Sequence, residues 1–245
     1  MVRCLDTLPL LMGTERRTDG AASAGLDALE IKRATTAEQV AEGLRAMILS
    51  GEVEQGAALR EVVLAAQVGV SRNTMREAIR VLAREGLVTH HMHRGAIVTR
   101  LTPRDVADIF RVRRALELAA IPAIPLADPE QIEDLGDAVD RLAAAVAGPD
   151  VGAVIDADLL FHERLVGLLR SERLSRFYQA IQGETRLCMS IVDRRDLEHD
   201  SLVDEHREML DLIRAGDLER CTAVMSQRLA ESERLLGQFV AERSS

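Results

Sequence analysis

The segment Gly69–Leu82, with the sequence Gly-Val-Ser-Arg-Asn-Thr-Met-Arg-Glu-Ala-Ile-Arg-Val-Leu, joins a turn signal to a two-faced helix. Its apolar residues recur at the i, i+3, i+4, i+7 spacing of a core-facing stripe. They are Met75, Ala78, Ile79 and Leu82. Ser71 stands at the N-cap position, where a hydroxyl accepts a hydrogen bond from the first turn. The pattern predicts a short helix that opens at Ser71 and packs one side on a core.

The polar side of this predicted helix is rich in arginine and asparagine near its start. Its members are Arg72, Asn73, Arg76 and Arg80. Arginine pairs bidentately with guanine O6 and N7 in the major groove, and asparagine pairs with adenine. We therefore interpret the segment as the recognition helix of a DNA-binding domain. The alternative for Arg72 and Arg76 is a solvated helix face that pairs with helix neighbours such as Glu77.

The flanking sequence predicts a winged helix–turn–helix over residues 34–102, with three helices and a β-hairpin. A capping-box pattern at Thr35–Glu38 opens the first helix. A second short helix covers residues 60–67, and Gly69 supplies the tight connection that this geometry needs. The β-prone runs that predict the hairpin are residues 87–89 and 96–99.

After Thr102 the pattern changes to helices without strands, so the chain is expected to be mainly α. Six helical segments with short connections predict a compact, all-helical antiparallel bundle over residues 103–241. The segments are residues 103–121, 129–147, 151–170, 172–193, 200–215 and 217–241. Residues 1–33 mix small and charged residues without periodicity, which predicts a flexible N-terminal tail.

Charge is distributed unevenly along the 245 residues, whose formal net charge is -9. Residues 36–103 carry 8 Arg against 7 acids, whereas residues 104–245 carry 18 Arg against 28 acids. The predicted bundle is therefore acidic, and it would repel DNA and direct it to the winged domain. The three cysteines lack metal-finger or redox spacing, and no apolar run is long enough to span a membrane. We expect a cytoplasmic protein.

A series of short motifs, in order, resembles the GntR family of bacterial transcription regulators. The motifs are Ala41-x-x-Leu44, Ile48-Leu49-Ser50-Gly51, Leu59-Arg60-Glu61, Leu64-Ala65, Gly69-Val70-Ser71-Arg72, Arg76-Glu77-Ala78, Glu85-Gly86-Leu87-Val88 and Arg94-Gly95-Ala96-Ile97-Val98. The helical remainder resembles the FCD-type domain of the FadR-like subgroup, in its shorter VanR-like variety. It does so through Arg113-x-x-Leu116-Glu117, Asp158-x-x-x-His162 and Glu205-His206.

The resemblance implies a dimeric repressor whose two winged domains read a palindromic DNA operator. It also implies a bundle that dimerises and binds a small metabolite, commonly a carboxylic acid. By position, the implied DNA contacts are Arg60, Ser71, Arg72, Asn73, Thr74, Arg76, Arg94 and Gly95. Relatives often have Thr at Asn73, so the base read there stays open. For Arg94, an ordinary loop arginine is the alternative.

The resemblance further implies a divalent metal site, for Zn²⁺, Ni²⁺ or Mn²⁺, with Asp158, His162 and His206 as ligands. Asp158 and His162 stand one helical turn apart and can face one ion. Arg228 replaces the further histidine of metal-binding relatives and cannot coordinate a cation, so we expect the metal to be weak or absent. Arg228 would then bind the effector carboxylate or pair with Asp158. A three-ligand site with waters survives if Arg228 turns away.

The expected effector contacts are Arg113, Asp158, His162, His206 and Arg228, with Arg186 as a weaker candidate anion anchor. An i,i+4 ion pair with Glu117 is the alternative for Arg113. Hydrogen-bonded core histidines are the alternative for His162 and His206.

These observations predict a ligand-responsive transcription regulator without enzymatic activity. Effector binding is expected to favour one placement of the two winged domains, and so to change operator affinity. Two rival functions remain. One is a metal-dependent hydrolase centred on Asp158, His162 and His206, for which the sequence offers no clear general base beyond the ligands. The other is a constitutive DNA-binding protein with a structural bundle.

Overall fold

The computed structural model describes residues 35–92, 95–191 and 199–243. Within these residues the chain forms nine α-helices and a small three-stranded sheet. The predicted tail, residues 1–33, lies outside the described residues. None of the described helices combines the length and apolar composition needed to cross a bilayer.

The N-terminal part is the predicted winged helix–turn–helix. Its elements are α1 (Thr36–Leu49), β1 (Ala58–Leu59), α2 (Glu61–Val68), α3 (Arg72–Arg84), β2 (Val88–His91) and β3 (Gly95–Val98). The expectation of a simple hairpin was incomplete, because β1 adds a third strand antiparallel to β3, with Ala58 opposite Ile97. A two-residue strand has too little sequence for a period-two pattern, so the sequence did not predict it.

Local sequence explains where α3 begins and which side it buries. Gly69 has a φ of 74°, a left-handed conformation that costs glycine little and ends α2 sharply. The Ser71 hydroxyl then accepts a hydrogen bond of 3.0 Å from the Thr74 amide, as predicted for an N-cap. The predicted stripe is buried in full: Met75, Ala78, Ile79 and Leu82. One side of α3 is therefore fixed on the core, and the other faces solvent.

The C-terminal part is a bundle of six helices, as predicted. They are α4 (Pro103–Ala120), α5 (Pro129–Val146), α6 (Val151–Gly167), α7 (Glu172–Met189), α8 (His199–Ala215) and α9 (Leu218–Arg243). A 3₁₀ helix at Ile121–Leu126 follows α4, where Pro122 cannot donate a backbone hydrogen bond. Helix α4 packs against α6, α7 and α9, so its inward side chains reach the centre of the bundle.

Candidate DNA-binding surface and ligand cavity

The N-terminal end of α3 presents polar side chains at the protein surface. Ser71, Arg72 and Asn73 are exposed, and Thr74 and Arg76 are half-buried. Arg60 is exposed at the N-cap of α2, and Gly95 is exposed at the start of β3. Arg94 lies outside the described residues. The described members of the predicted DNA-contacting set are therefore accessible from solvent at least in part.

Glu61, at the start of α2, holds the two arginines of α3. Arg76 donates from Nε and Nη2 to Glu61 at 3.2 and 3.0 Å, and Arg72 donates from Nε at 3.4 Å. The Arg76 contact is the main reason that the pKa of Glu61 is lowered. The alternative in which Arg72 and Arg76 pair with neighbours on their own helix does not describe the structure, since their partner Glu61 belongs to the preceding helix. Sequence reasoning missed Glu61 because its contact depends on how α2 crosses α3.

A cavity of about 480 Å³ lies inside the bundle, between side chains of α4, α6, α7, α8 and α9. Its polar lining includes Arg113, Asp158, His162, Glu205, His206 and Arg228. Apolar side chains complete the wall: Val154, Ile155, Met189, Met209, Met225 and Leu229. All five predicted effector contacts therefore meet at one cavity.

Asp158, His162 and His206 form a buried cluster in that cavity. One potential ligand atom from each of the three lies within 4.8 Å of the others. His206 Nε2 is 3.3 Å from Asp158 Oδ1. Helix α6 supplies the first two residues one turn apart, and α8 brings the third. The arrangement matches the predicted ligand set.

A hydrogen bond on the far side of the His206 imidazole favours a metal-ligating tautomer. His206 Nδ1 lies 2.8 Å from the Leu202 carbonyl oxygen, so this nitrogen carries the proton. Burial lowers the pKa of His206 and keeps the ring neutral. Its Nε2 lone pair then faces the Asp158 carboxylate without a hydrogen-bond partner. A lone pair and a carboxylate repel each other. This geometry is therefore better explained by a cation bound between the two groups than by histidines that serve only as hydrogen-bonded core residues.

Glu117 orients the second histidine from behind. Its Oε2 is 2.8 Å from His162 Nδ1, which leaves the other ring nitrogen to face the cluster. Glu117 also accepts hydrogen bonds from Arg113 Nε at 2.7 Å and from the Tyr178 hydroxyl at 2.8 Å. Burial alone would raise the pKa of Glu117, but Arg113 and His162 outweigh it and lower the pKa to about 2. The carboxylate is therefore ionised. The structure shows the i,i+4 ion pair between Arg113 and Glu117 that the sequence offered as an alternative.

Arg228 does not approach the cluster in the way that the sequence suggested. Its Nη1 is 2.5 Å from Glu205 and 3.7 Å from Glu231, so the alternative in which Arg228 pairs with Asp158 is not what the structure shows. The guanidinium is turned towards these acids, and their negative charges offset its repulsion of a cation at the cluster. Arg186 pairs with Asp156 at 2.7 Å and is not part of this cavity's lining.

Sequence reasoning assigned no role at this site to three residues that contact the predicted effector ligands or their partners: Glu117, Tyr178 and Glu205. Glu117 and Glu205 stood inside motifs, beside residues that drew attention, while Tyr178 had no motif at all. Their roles depend on which helices face each other across the bundle.

The fold and the two sites define a two-part transcription regulator, with a DNA-binding winged domain and a helical effector-binding domain. Residues 36–98 match the profile of "Bacterial regulatory proteins, gntR family", and residues 108–231 match the FCD domain. The chain belongs to the GntR family of bacterial transcription regulators and carries an FCD domain. This membership assigns it to regulators of transcription, and it disfavours the hydrolase alternative.

Similar proteins support the assignment along most of the chain. An "Uncharacterized HTH-type transcriptional regulator in unstable DNA locus" of Streptomyces ambofaciens is 32% identical over 187 residues, covering 76% of this chain and 78% of that protein. A "Gluconate operon transcriptional repressor" of Bacillus subtilis is 27% identical over 208 residues, covering 82% and 84%. The crystal structure of a GntR regulator from Rhodococcus sp. RHA1 superposes with a TM-score of 0.70 at 29% identity, covering 82% and 96%.

Proposed function

We propose that the protein is a dimeric repressor that binds a palindromic operator and responds to a small carboxylic acid. Residues 34–102 contact the DNA through α3 and the wing, and residues 103–241 form the dimer and enclose the effector. The observation that carries the proposal is the buried Asp158–His162–His206 cluster at the wall of a cavity in the bundle. Asp158, His162 and His206 would hold a divalent ion there, with water completing its coordination.

Charge inside the cavity favours an anionic effector once an ion is held. Asp158 contributes one negative charge, Arg113 is balanced by Glu117, and Arg228 is paired with Glu205. When bound, a divalent ion supplies an excess positive charge in a site of low dielectric constant. Arg228 lines the same cavity and can exchange its Glu205 partner for an effector oxygen. The relative named for the gluconate operon makes sugar acids a reasonable first panel.

Operator release by a carboxylate tests the proposal directly. An operator is selected from random duplex DNA with the wild-type protein, and binding is followed by fluorescence anisotropy. We expect one acid in a panel of sugar acids, hydroxy acids and dicarboxylates to weaken operator binding by at least about fivefold. The corresponding amide should have no effect, because it lacks the charge that the cavity selects.

The matched variant for this experiment is Asp158→Asn. It should bind the operator as the wild type does and lose the response to the acid. Operator affinity that no acid in the panel changes would contradict the proposed effector class and favour a constitutive DNA-binding protein.

Metal binding is expected to depend on the buried histidines and not on exposed ones. In calorimetric titration with Zn²⁺ alone, His206→Ala should lower the affinity at least about tenfold, since it removes one of three protein ligands. His91→Ala is the matched control, because His91 is exposed on β2. Equal Zn²⁺ affinity in wild type and His206→Ala would place the ion elsewhere.

A further inference from the structure

We propose that α7 transmits the state of the ligand cavity to the recognition helix, with Gly183 as the point of contact. Helix α7 contacts Glu117 through Tyr178 and lines the cavity at Met189, and it meets the C-terminal end of α3 at Gly183. The inference rests on the proposed ligand response, which it extends by naming the structural route. The test of this route uses no ligand, so the route and the proposed ligand response can be rejected independently.

The contact between α7 and α3 is made by backbone and leaves no room for a side chain. A Cβ added to Gly183 would lie 1.6 Å from the carbonyl oxygen of Glu85 and 2.7 Å from its carbonyl carbon. Glu85 is the C-cap of α3. Gly86 and Glu184, the residues that follow Glu85 and Gly183, are also close, since a Cβ on Gly86 would lie 2.9 Å from the Glu184 side chain. The end of the recognition helix is therefore seated directly on α7.

Helix α7 meets the cavity network through Tyr178. The buried Tyr178 hydroxyl donates to Glu117 at 2.8 Å, and Glu117 contacts His162, a member of the candidate ligand cluster. Met189, at the other end of α7, lines the cavity itself. Tyr178 and Gly183 are five residues apart on one uninterrupted helix, about 7.5 Å along its axis.

A small movement of α7 cannot be absorbed at Gly183. Elsewhere a long side chain can change rotamer when its neighbour shifts, but at this contact two backbones meet and close packing passes the displacement on. The Glu85 side chain is also paired with Arg45 of α1 at 2.6 Å. Displacement of Glu85 would thus carry α3 and α1 together, as one unit, and change the angle at which α3 meets DNA.

A double-mutant cycle on operator affinity tests the route. Tyr178→Phe removes the hydroxyl bound to Glu117 while keeping the ring, and we expect it to change operator affinity about threefold or more without touching the DNA-binding surface. Gly183→Ala forces α7 and Glu85 apart, so Tyr178→Phe should change operator affinity less than about twofold in that background. Gly237→Ala on α9 is the control, since a Cβ there meets nothing within 4 Å. It should leave the Tyr178→Phe effect intact.

Two results would overturn the proposal. One is unchanged operator affinity in a folded Tyr178→Phe protein, and the other is a Tyr178→Phe effect that persists in full with Gly183→Ala. If circular dichroism shows that Gly183→Ala does not fold, the Tyr178→Phe protein alone decides, since unchanged operator affinity in it still rejects the route. If no acid in the panel changes operator affinity but the effects of Tyr178→Phe and Gly183→Ala are not additive, the proposed effector class is rejected and the α7 route is supported.

Discussion

Replacing Glu117 with alanine is expected to lower the free energy of unfolding by about 3–5 kcal/mol, a drop in melting temperature on the order of 10 °C. Glu117 is fully buried and is the ion-pair partner of Arg113, which is 4% exposed. Without Glu117, a buried guanidinium loses its counter-charge and the Tyr178 hydroxyl loses its acceptor. The cost comes mainly from these stranded groups and only secondarily from lost packing.

The measurement is thermal and urea unfolding, with Glu133→Ala as control because Glu133 is an exposed glutamate on α5. The control should change stability by less than about 0.5 kcal/mol. Zn²⁺ titration of a folded Glu117→Gln protein adds a second measurement. Losing the carboxylate that orients His162 should lower Zn²⁺ affinity about 10- to 100-fold. Equal stability of Glu117→Ala and Glu133→Ala would show that the buried pair is not formed in solution.

Arg76→Ala is expected to weaken operator binding by about 1–3 kcal/mol, or roughly 5- to 150-fold. The three hydrogen bonds from Arg76 to Glu61 use Nε and Nη2, so the Nη1 end of the guanidinium is available to a guanine edge. Since Glu61 already restrains the side chain, little rotamer entropy remains to be lost on binding.

Arg84→Ala is the matched control for Arg76→Ala. Arg84 is exposed in the last turn of the same helix, about 12 Å further along its axis. Binding is measured by anisotropy over a salt series, on the selected operator and on an unrelated duplex. Arg76→Ala should reduce the preference for the operator, whereas Arg84→Ala should not. Equal losses in the two variants on both duplexes would reject a specific role for Arg76.

Much of the architecture followed from local sequence. The Ser71 cap and the four-residue apolar stripe predicted α3, and the six bundle helices were predicted to within a few residues because caps, prolines and glycines mark their ends. The two-residue strand β1 was missed, since it exists only by pairing with β3. The five residues predicted to contact the effector line one cavity, and their role in binding stays a prediction: Arg113, Asp158, His162, His206 and Arg228.

What the sequence determined by itself is periodic or local: a cap, a helical stripe, a turn that needs glycine, and a spacing of four between Asp158 and His162. What only the tertiary structure decided is which side chain meets which across helices. Glu61 holds Arg76, Glu117 holds Arg113 and His162, and Glu205 draws Arg228 away from Asp158. The physical reason is that such pairs depend on the crossing and spacing of whole helices, which no short stretch of sequence encodes.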